Sequence, residues 1–164
     1  RLDYLRTGRL VTGDVASCRD TEGGVHALIA ATVKADGPGV TQCIWQDPAS
    51  SGKAYAARIV QVIHEALPTA HVDVLVESKD KLTYAKPVSA FLDPRTPANN
   101  GVRRGVVLNR PWTLGYLAEM EAFGEKTKGK KDQVDATSRA FGVLDPASPD
   151  FATSFLQEMR RVRV

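Results

Sequence analysis

Asp132 and Asp135, within Lys130-Lys131-Asp132-Gln133-Val134-Asp135-Ala136, and Asp47, within Ile44-Trp45-Gln46-Asp47-Pro48, are carboxylates suited to binding a divalent ion. Hard divalent cations take oxygen ligands, and two-ion hydrolysis uses several carboxylates to hold the ions roughly 3.5–4 Å apart, where they activate water and stabilise a leaving oxygen. A helix turns once in ~3.6 residues, so Asp132 and Asp135 fall about 60° apart on one face. Val134 and Phe141, a heptad apart, mark the opposite stripe for the core. Plainer readings exist for each acid. An aspartate in a first turn is favoured by the helix dipole, and Asp-Pro commonly opens a turn and caps the next helix.

Periodicity gives the helices and strands around these acids. Leu10–Val15 reads as a strand after the turn signal Thr7-Gly8-Arg9. Val25, Leu28, Ile29, Thr32 and Val33 keep helical spacing, with Asp20 or Thr21 as cap and Asp36-Gly37-Pro38-Gly39 as stop. Val40–Trp45 suits a buried strand, and Asp47 lies where it ends. A helix from Ser50 or Ser51, with Ala56, Ile59, Val60, Ile63 and Leu67 inside, closes at Pro68. Val72, Val74 and Val76 then alternate with Asp73, Leu75 and Glu77 as a strand. This alternation of strands and helices is the α/β signature and implies at least one parallel pair, whose carboxyl ends are where ligands gather. Downstream lie a helix over 82–92, interrupted at Pro87, an exposed loop over 95–104, and a strand over 105–108. A helix over 111–123, a basic loop over 125–131 and a helix from Asp132 to about Phe141 follow. A last helix is expected from Asp150, with Phe151, Phe155 and Met159 on one side.

Composition sets the outer bounds. The 164 residues, 43% hydrophobic, support one domain with a core. We place it at residues 1–145, with 146–164 as a helical tail. The net charge is +3, yet residues 95–131 hold eight basic residues against three acids, a local +5 against −2 elsewhere. A basic segment leading into acids suits a polyanionic substrate, with lysines drawing it in. Cys18 and Cys43, 25 residues apart, fit neither a disulfide framework nor a zinc site, and read as buried thiols in a reducing compartment. No apolar run approaches ~20 residues and no signal core is present, so a cytoplasmic location and no membrane partner are expected. Because Arg1 replaces an initiating methionine, a fragment or processed chain is expected.

Several patterns point elsewhere on inspection. Ser50-Ser51-Gly52-Lys53 lacks the preceding glycine and following Ser or Thr of a phosphate-binding loop. His26, His64 and His71, on two helices and a strand start, have no metal-ligand spacing. Trp45 and Trp112 read as core residues.

Taken in order, Asp36-Gly-Pro-Gly-Val, Gln46-Asp47-Pro-Ala-Ser-Ser-Gly52-Lys53-Ala, Ser78-Lys79-Asp-Lys81 with Ala85-Lys86-Pro87, Gly105-Val-Val-Leu, Pro111-Trp112 and Asp132-Gln-Val-Asp135-Ala resemble the C-terminal nuclease domain of the phage terminase large subunit. The resemblance runs from about Val11 to Leu144. It implies an RNase H-like mixed sheet flanked by helices, here lacking its first one or two strands. It further implies a metal-dependent DNA endonuclease using Mg2+ or Mn2+ to cleave concatemeric viral DNA during genome packaging. The implied partners are double-stranded DNA, a terminase ATPase domain, the small terminase subunit and the portal. By position, Asp47 resembles the carboxylate after the central strand, and Asp132 resembles the metal-binding residue of the late helix, with Asp135 beside it. Lys81 resembles the basic residue facing DNA, joined by Lys128, Lys130 and Lys131 of the basic loop. Lys131 stands where the family has the first of two aspartates, and Tyr84 where it has an arginine. Only nine residues precede the Leu10 strand. The family's first catalytic Asp therefore has only Asp14, or more remotely Asp3, as a substitute here, and weak or absent activity of the isolated chain is expected. Two rival classes remain: a non-catalytic DNA-binding or assembly module that keeps the fold, and a small-molecule enzyme using Gly52-Lys53 for phosphate.

Overall fold

The structure, a computed structural model, describes residues 1–5, 9–76, 81–123 and 132–144. It is an α/β protein. Strands β1 (Leu2–Tyr4), β2 (Leu10–Thr12), β3 (Gln42–Gln46), β4 (Val72–Val76) and β5 (Gly105–Val107) alternate with helices α1 (Glu22–Asp36), α2 (Ser50–Ala66), α3 (Lys81–Leu92), α4 (Thr113–Ala122) and α5 (Asp132–Leu144). The chain divides into two compact units, residues 16–78 and residues 1–15 with 79–164.

In the first of these units, α1-β3-α2-β4 contains a strand–helix–strand crossover, and β3 pairs parallel with β4 from Gln42↔Val72 to Gln46↔Val76. Helix α1 starts where Thr21 accepts the amide of Gly24 at 3.3 Å. It stops at Gly37, whose φ of 73° lies in the left-handed region that glycine enters without strain. The core is Val33, Ile59, Ile63 and Ala70, with Ile29, Ile44, Leu67 and Val72 packed against it. Each large aliphatic buried this way stabilises by roughly 1.5–3 kcal/mol. The alternation in β4 holds, but only Val72 joins the core. Val74 and Val76, on the same side, are 43% and 55% exposed.

In the other unit, β1 runs antiparallel and β5 parallel to β2, in the order β1-β2-β5. Leu10, Val88 and Phe141 form its core with Leu2, Phe91, Leu92 and Leu144. At Gly105 a Cβ would lie 2.6 Å from Leu92 Cδ2, so glycine lets α3 approach the strand. Helix α3 continues through Pro87, which faces solvent, and the expected interruption does not occur. The missing amide forfeits one bond on the exposed side while Ala85 and Val88 stay buried. The exposed loop after α3 is tied by Asn99, which is 3% exposed and donates its Nδ2 to the carbonyls of Phe91 and Asp93 at 2.8 and 2.7 Å.

A short strand, β1, precedes Leu10, and the described strands form two ladders, a mixed sheet of three strands and a parallel pair. One expectation needs correction. Cys18 is exposed, because residues 13–20 form no helix or strand that could bury it. The expected helix from Asp150 lies outside the described residues. Among the described residues, no helix is long and apolar enough to cross a membrane.

Candidate functional site

Asp47 directly follows β3, at the carboxyl end of the parallel β3–β4 pair. Its side chain is held by a tight local turn: Oδ1 accepts the amide of Ala49 at 2.9 Å, and the residue is exposed. Ala49, the N-cap of α2, supplies no side-chain cap, and its amide goes to the Asp47 carboxylate, an anion placed next to the positive end of that helix. Gly52 is what permits this. A Cβ there would strike the Asp47 carbonyl oxygen and come within 2.5 Å of the Asp47 Cβ. The Gly52-Lys53 pair thus has a steric role close to the candidate acid.

At the other end of β3, Cys43 pairs with Asp73 across the ladder. Burial, reinforced by the Asp73 charge, pushes its thiol up to about 11, so it stays protonated at neutral pH and is no nucleophile there.

The other acids lie in the second unit. Asp14 is exposed two residues past β2, and its Oδ1 accepts the amide of Val15 at 2.8 Å. Asp132 is the first residue of α5 and is exposed, while Val134 and Phe141 are 3% and 2% exposed. Val134 and Phe141 are buried as the spacing predicts, but the expected face of two acids does not meet solvent as a whole, since only Asp132 of the two aspartates is exposed. Asp135 departs from its neighbour. Its Oδ1 accepts from Arg139 Nε at 2.8 Å, and this pair is largely buried, with side-chain exposures of 16% and 6%. The Arg139 guanidinium also lies over the Tyr84 ring at 5.5 Å. Tyr84, standing where the family resemblance calls for an arginine, thus meets an arginine from α5.

Two supports of α5 escape sequence reading. Glu119 Oε1, from α4, accepts the amides of Gln133 and Val134 at 2.6 and 3.2 Å, capping α5 from another helix. Tyr116 Oη lies 3.4 Å from Thr12 Oγ1 and 3.1 Å from Thr137 Oγ1, a buried hydroxyl chain joining β2, α4 and α5. No local signal marks Glu119 or Tyr116, because their partners are distant in sequence. Arg139 was detectable, since Asp135 and Arg139 stand at the i, i+4 spacing of helical ion pairs.

Asp14 and Asp132 thus belong to one unit and Asp47 to the other. Among the described residues, no group of three or more His, Cys, Asp or Glu side chains gathers so that it could hold a metal ion. This geometry specifies no metal-borne step. Lys81 is the first residue of α3; its side chain, like Lys128, Lys130 and Lys131, lies outside the described part of the structure. Comparison with protein-family models, with characterised proteins and with solved structures found no match to the chain.

Proposed function

We propose that this chain is an RNase H-like DNA endonuclease domain of the phage terminase large-subunit type, dependent on Mg2+ or Mn2+ and acting on double-stranded DNA. The observation that carries the reading is Asp47: an exposed carboxylate immediately past β3, at the carboxyl end of a parallel strand pair. Asp132 adds a second exposed acid at the start of α5. In this reading both are metal ligands, Asp14 contributes to the metal site, and Asp135 supports Asp132 through the order it brings to α5. Lys81 with Lys128, Lys130 and Lys131 engages phosphates, which positions DNA without reading its sequence. The partners are those of the resemblance: an ATPase domain, a small subunit and a portal.

A second reading is a non-catalytic DNA-binding or assembly module that keeps the fold. Manganese-dependent plasmid cleavage separates the two. The nuclease cuts, and loses cutting in Asp47→Ala and Asp132→Ala while still retaining DNA in a gel shift. A chain that binds DNA and never cuts it, with either aspartate dispensable, is the module.

A further inference from the structure

The outer face of the β1–β2–β5 sheet carries side chains that neither the candidate acids nor the core uses. Register places Leu10 and Thr12 on one face with Gly105 and Val107, and Leu10 is buried there with Val88 of α3 and Phe141 of α5. Val11 and Val106 pair on the opposite face. With Leu108 they floor an open groove of about 940 Å³, walled by Leu5 and Val102 and rimmed by Arg9 and Arg104. That size is within the roughly 300–1,000 Å³ of clefts that hold ligands. Leu5 and Val102 are 42% and 52% exposed, so the apolar walls meet solvent.

The groove lies beside a strand edge. Among the described strands, β5 is at the end of the order β1-β2-β5. Arg104 accepts the amide of Leu10 at 2.9 Å, and Leu108 donates to Thr12 at 3.3 Å, so these positions turn their peptide groups toward β2. Alternation along the strand then turns the peptide groups of Gly105 and Val107 outward. The charge of the rim is one-sided. Arg9 is exposed, and Arg104 donates to the Ala98 carbonyl and lies over the Phe91 ring. Among the described residues, neither has a carboxylate partner. Asp3 shares this face by register and is paired with Arg1 at 3.1 Å.

We propose that this groove and the β5 edge bind an extended segment of a partner protein in which apolar and acidic residues alternate. The segment adds as a strand beside β5, lays its apolar side chains on Val11, Val106 and Leu108, and meets Arg9 and Arg104 with carboxylates. A nucleic-acid strand fits less well. The floor has no aromatic ring to stack a base and no hydroxyl or amide side chain for a phosphate oxygen, and it would strip water from the phosphates without replacing their hydrogen bonds.

The test is fluorescence anisotropy of the chain with three labelled probes: a peptide of alternating Glu and Val, its Lys–Val counterpart, and a short DNA duplex. The Glu–Val peptide is expected to bind saturably, at least about tenfold more tightly than the Lys–Val peptide, as charge-assisted bonds imply. Arg9→Glu and Val106→Lys are each expected to weaken it about tenfold with an unchanged circular-dichroism spectrum, and the two sites make the result independent of one variant's folding. Asp47→Ala leaves peptide binding unaltered, so loss of the nuclease reading would not touch this one. The proposal is overturned by no saturable binding of the Glu–Val peptide, by equal binding of both peptides, or by wild-type affinity in both folded variants. Duplex binding that is lost in Arg9→Glu, with no peptide binding, assigns the groove to nucleic acid and overturns it equally.

Discussion

Asp132→Ala and Asp135→Ala alter the same residue type three positions apart, yet the structure separates their costs. Asp135 is the 2.8 Å partner of Arg139, whose side chain is 6% exposed. Asp135→Ala takes from Arg139 a carboxylate 2.8 Å away, and removing one member of a buried pair costs roughly 3–5 kcal/mol. The Tyr84 ring under the guanidinium offsets about 1 kcal/mol of this, leaving about 2–4 kcal/mol. Asp132 is exposed and loses only a first-turn dipole interaction, about 0.3–1 kcal/mol. At about 2–4 °C per kcal/mol for a chain of this size, Asp135→Ala melts about 4–16 °C below wild type and Asp132→Ala about 1–4 °C below. Melting followed by circular dichroism at pH 7 measures both, with urea titration as a check that one transition is observed. The paired variant Asp135→Leu with Arg139→Met is expected to recover most of the loss, because both charges of the pair are removed together. If Asp135→Ala melts with Asp132→Ala, or the paired variant is no more stable than Asp135→Ala alone, the buried pair is not what holds α5.

Gly52→Ala drives a Cβ into the Asp47 backbone and is expected to cost about 1–3 kcal/mol in melting while displacing the Asp47 carboxylate, seen as lost plasmid cleavage. Glu119→Ala removes the acceptor for two amides at the start of α5 and is expected to cost about 0.5–2 kcal/mol; Glu119→Gln, which keeps a carbonyl oxygen, restores much of it. Cys43 titrates near 11 when folded against an ordinary 9.0. Above pH 9 the unfolded chain therefore ionises first, and stability contributed by the protonated thiol is intact below pH 9 and lost between pH 9 and 11. Cys43→Ala is expected to flatten the urea-midpoint profile across that interval by an amount equivalent to about 2–3 kcal/mol. A profile parallel to wild type would show that the thiol is not desolvated.

The long elements were legible because their periodicity is strong. Ile59 and Ile63 recur at helical spacing and are 3% and 1% exposed, and Val134 and Phe141 mark the buried stripe of α5. Strand β1 was not, although β2 and β5 are equally short and were read: no turn signal precedes it, and its pairing to β2 is a tertiary fact. Pro87 marked an interruption that did not happen, because a helix tolerates proline where the lost bond faces water and its neighbours stay packed. Cys18 was misplaced because residue type predicts burial only where an element offers an inner face. The positions of Asp47 at a strand end and Asp132 on the outer side of a helix were readable. What holds them was not, since Glu119 reaches α5 from α4 and Gly52 acts through an absent side chain.

Manganese binding to the chain, measured by titration calorimetry with wild type, Asp47→Ala and Asp132→Ala, decides whether these two carboxylates serve divalent ions. Saturable binding by wild type, weakened by roughly tenfold or more in each variant at unchanged fold, is the expected result. A wild-type chain that takes up no manganese, or variants that bind it as tightly as wild type, would contradict it.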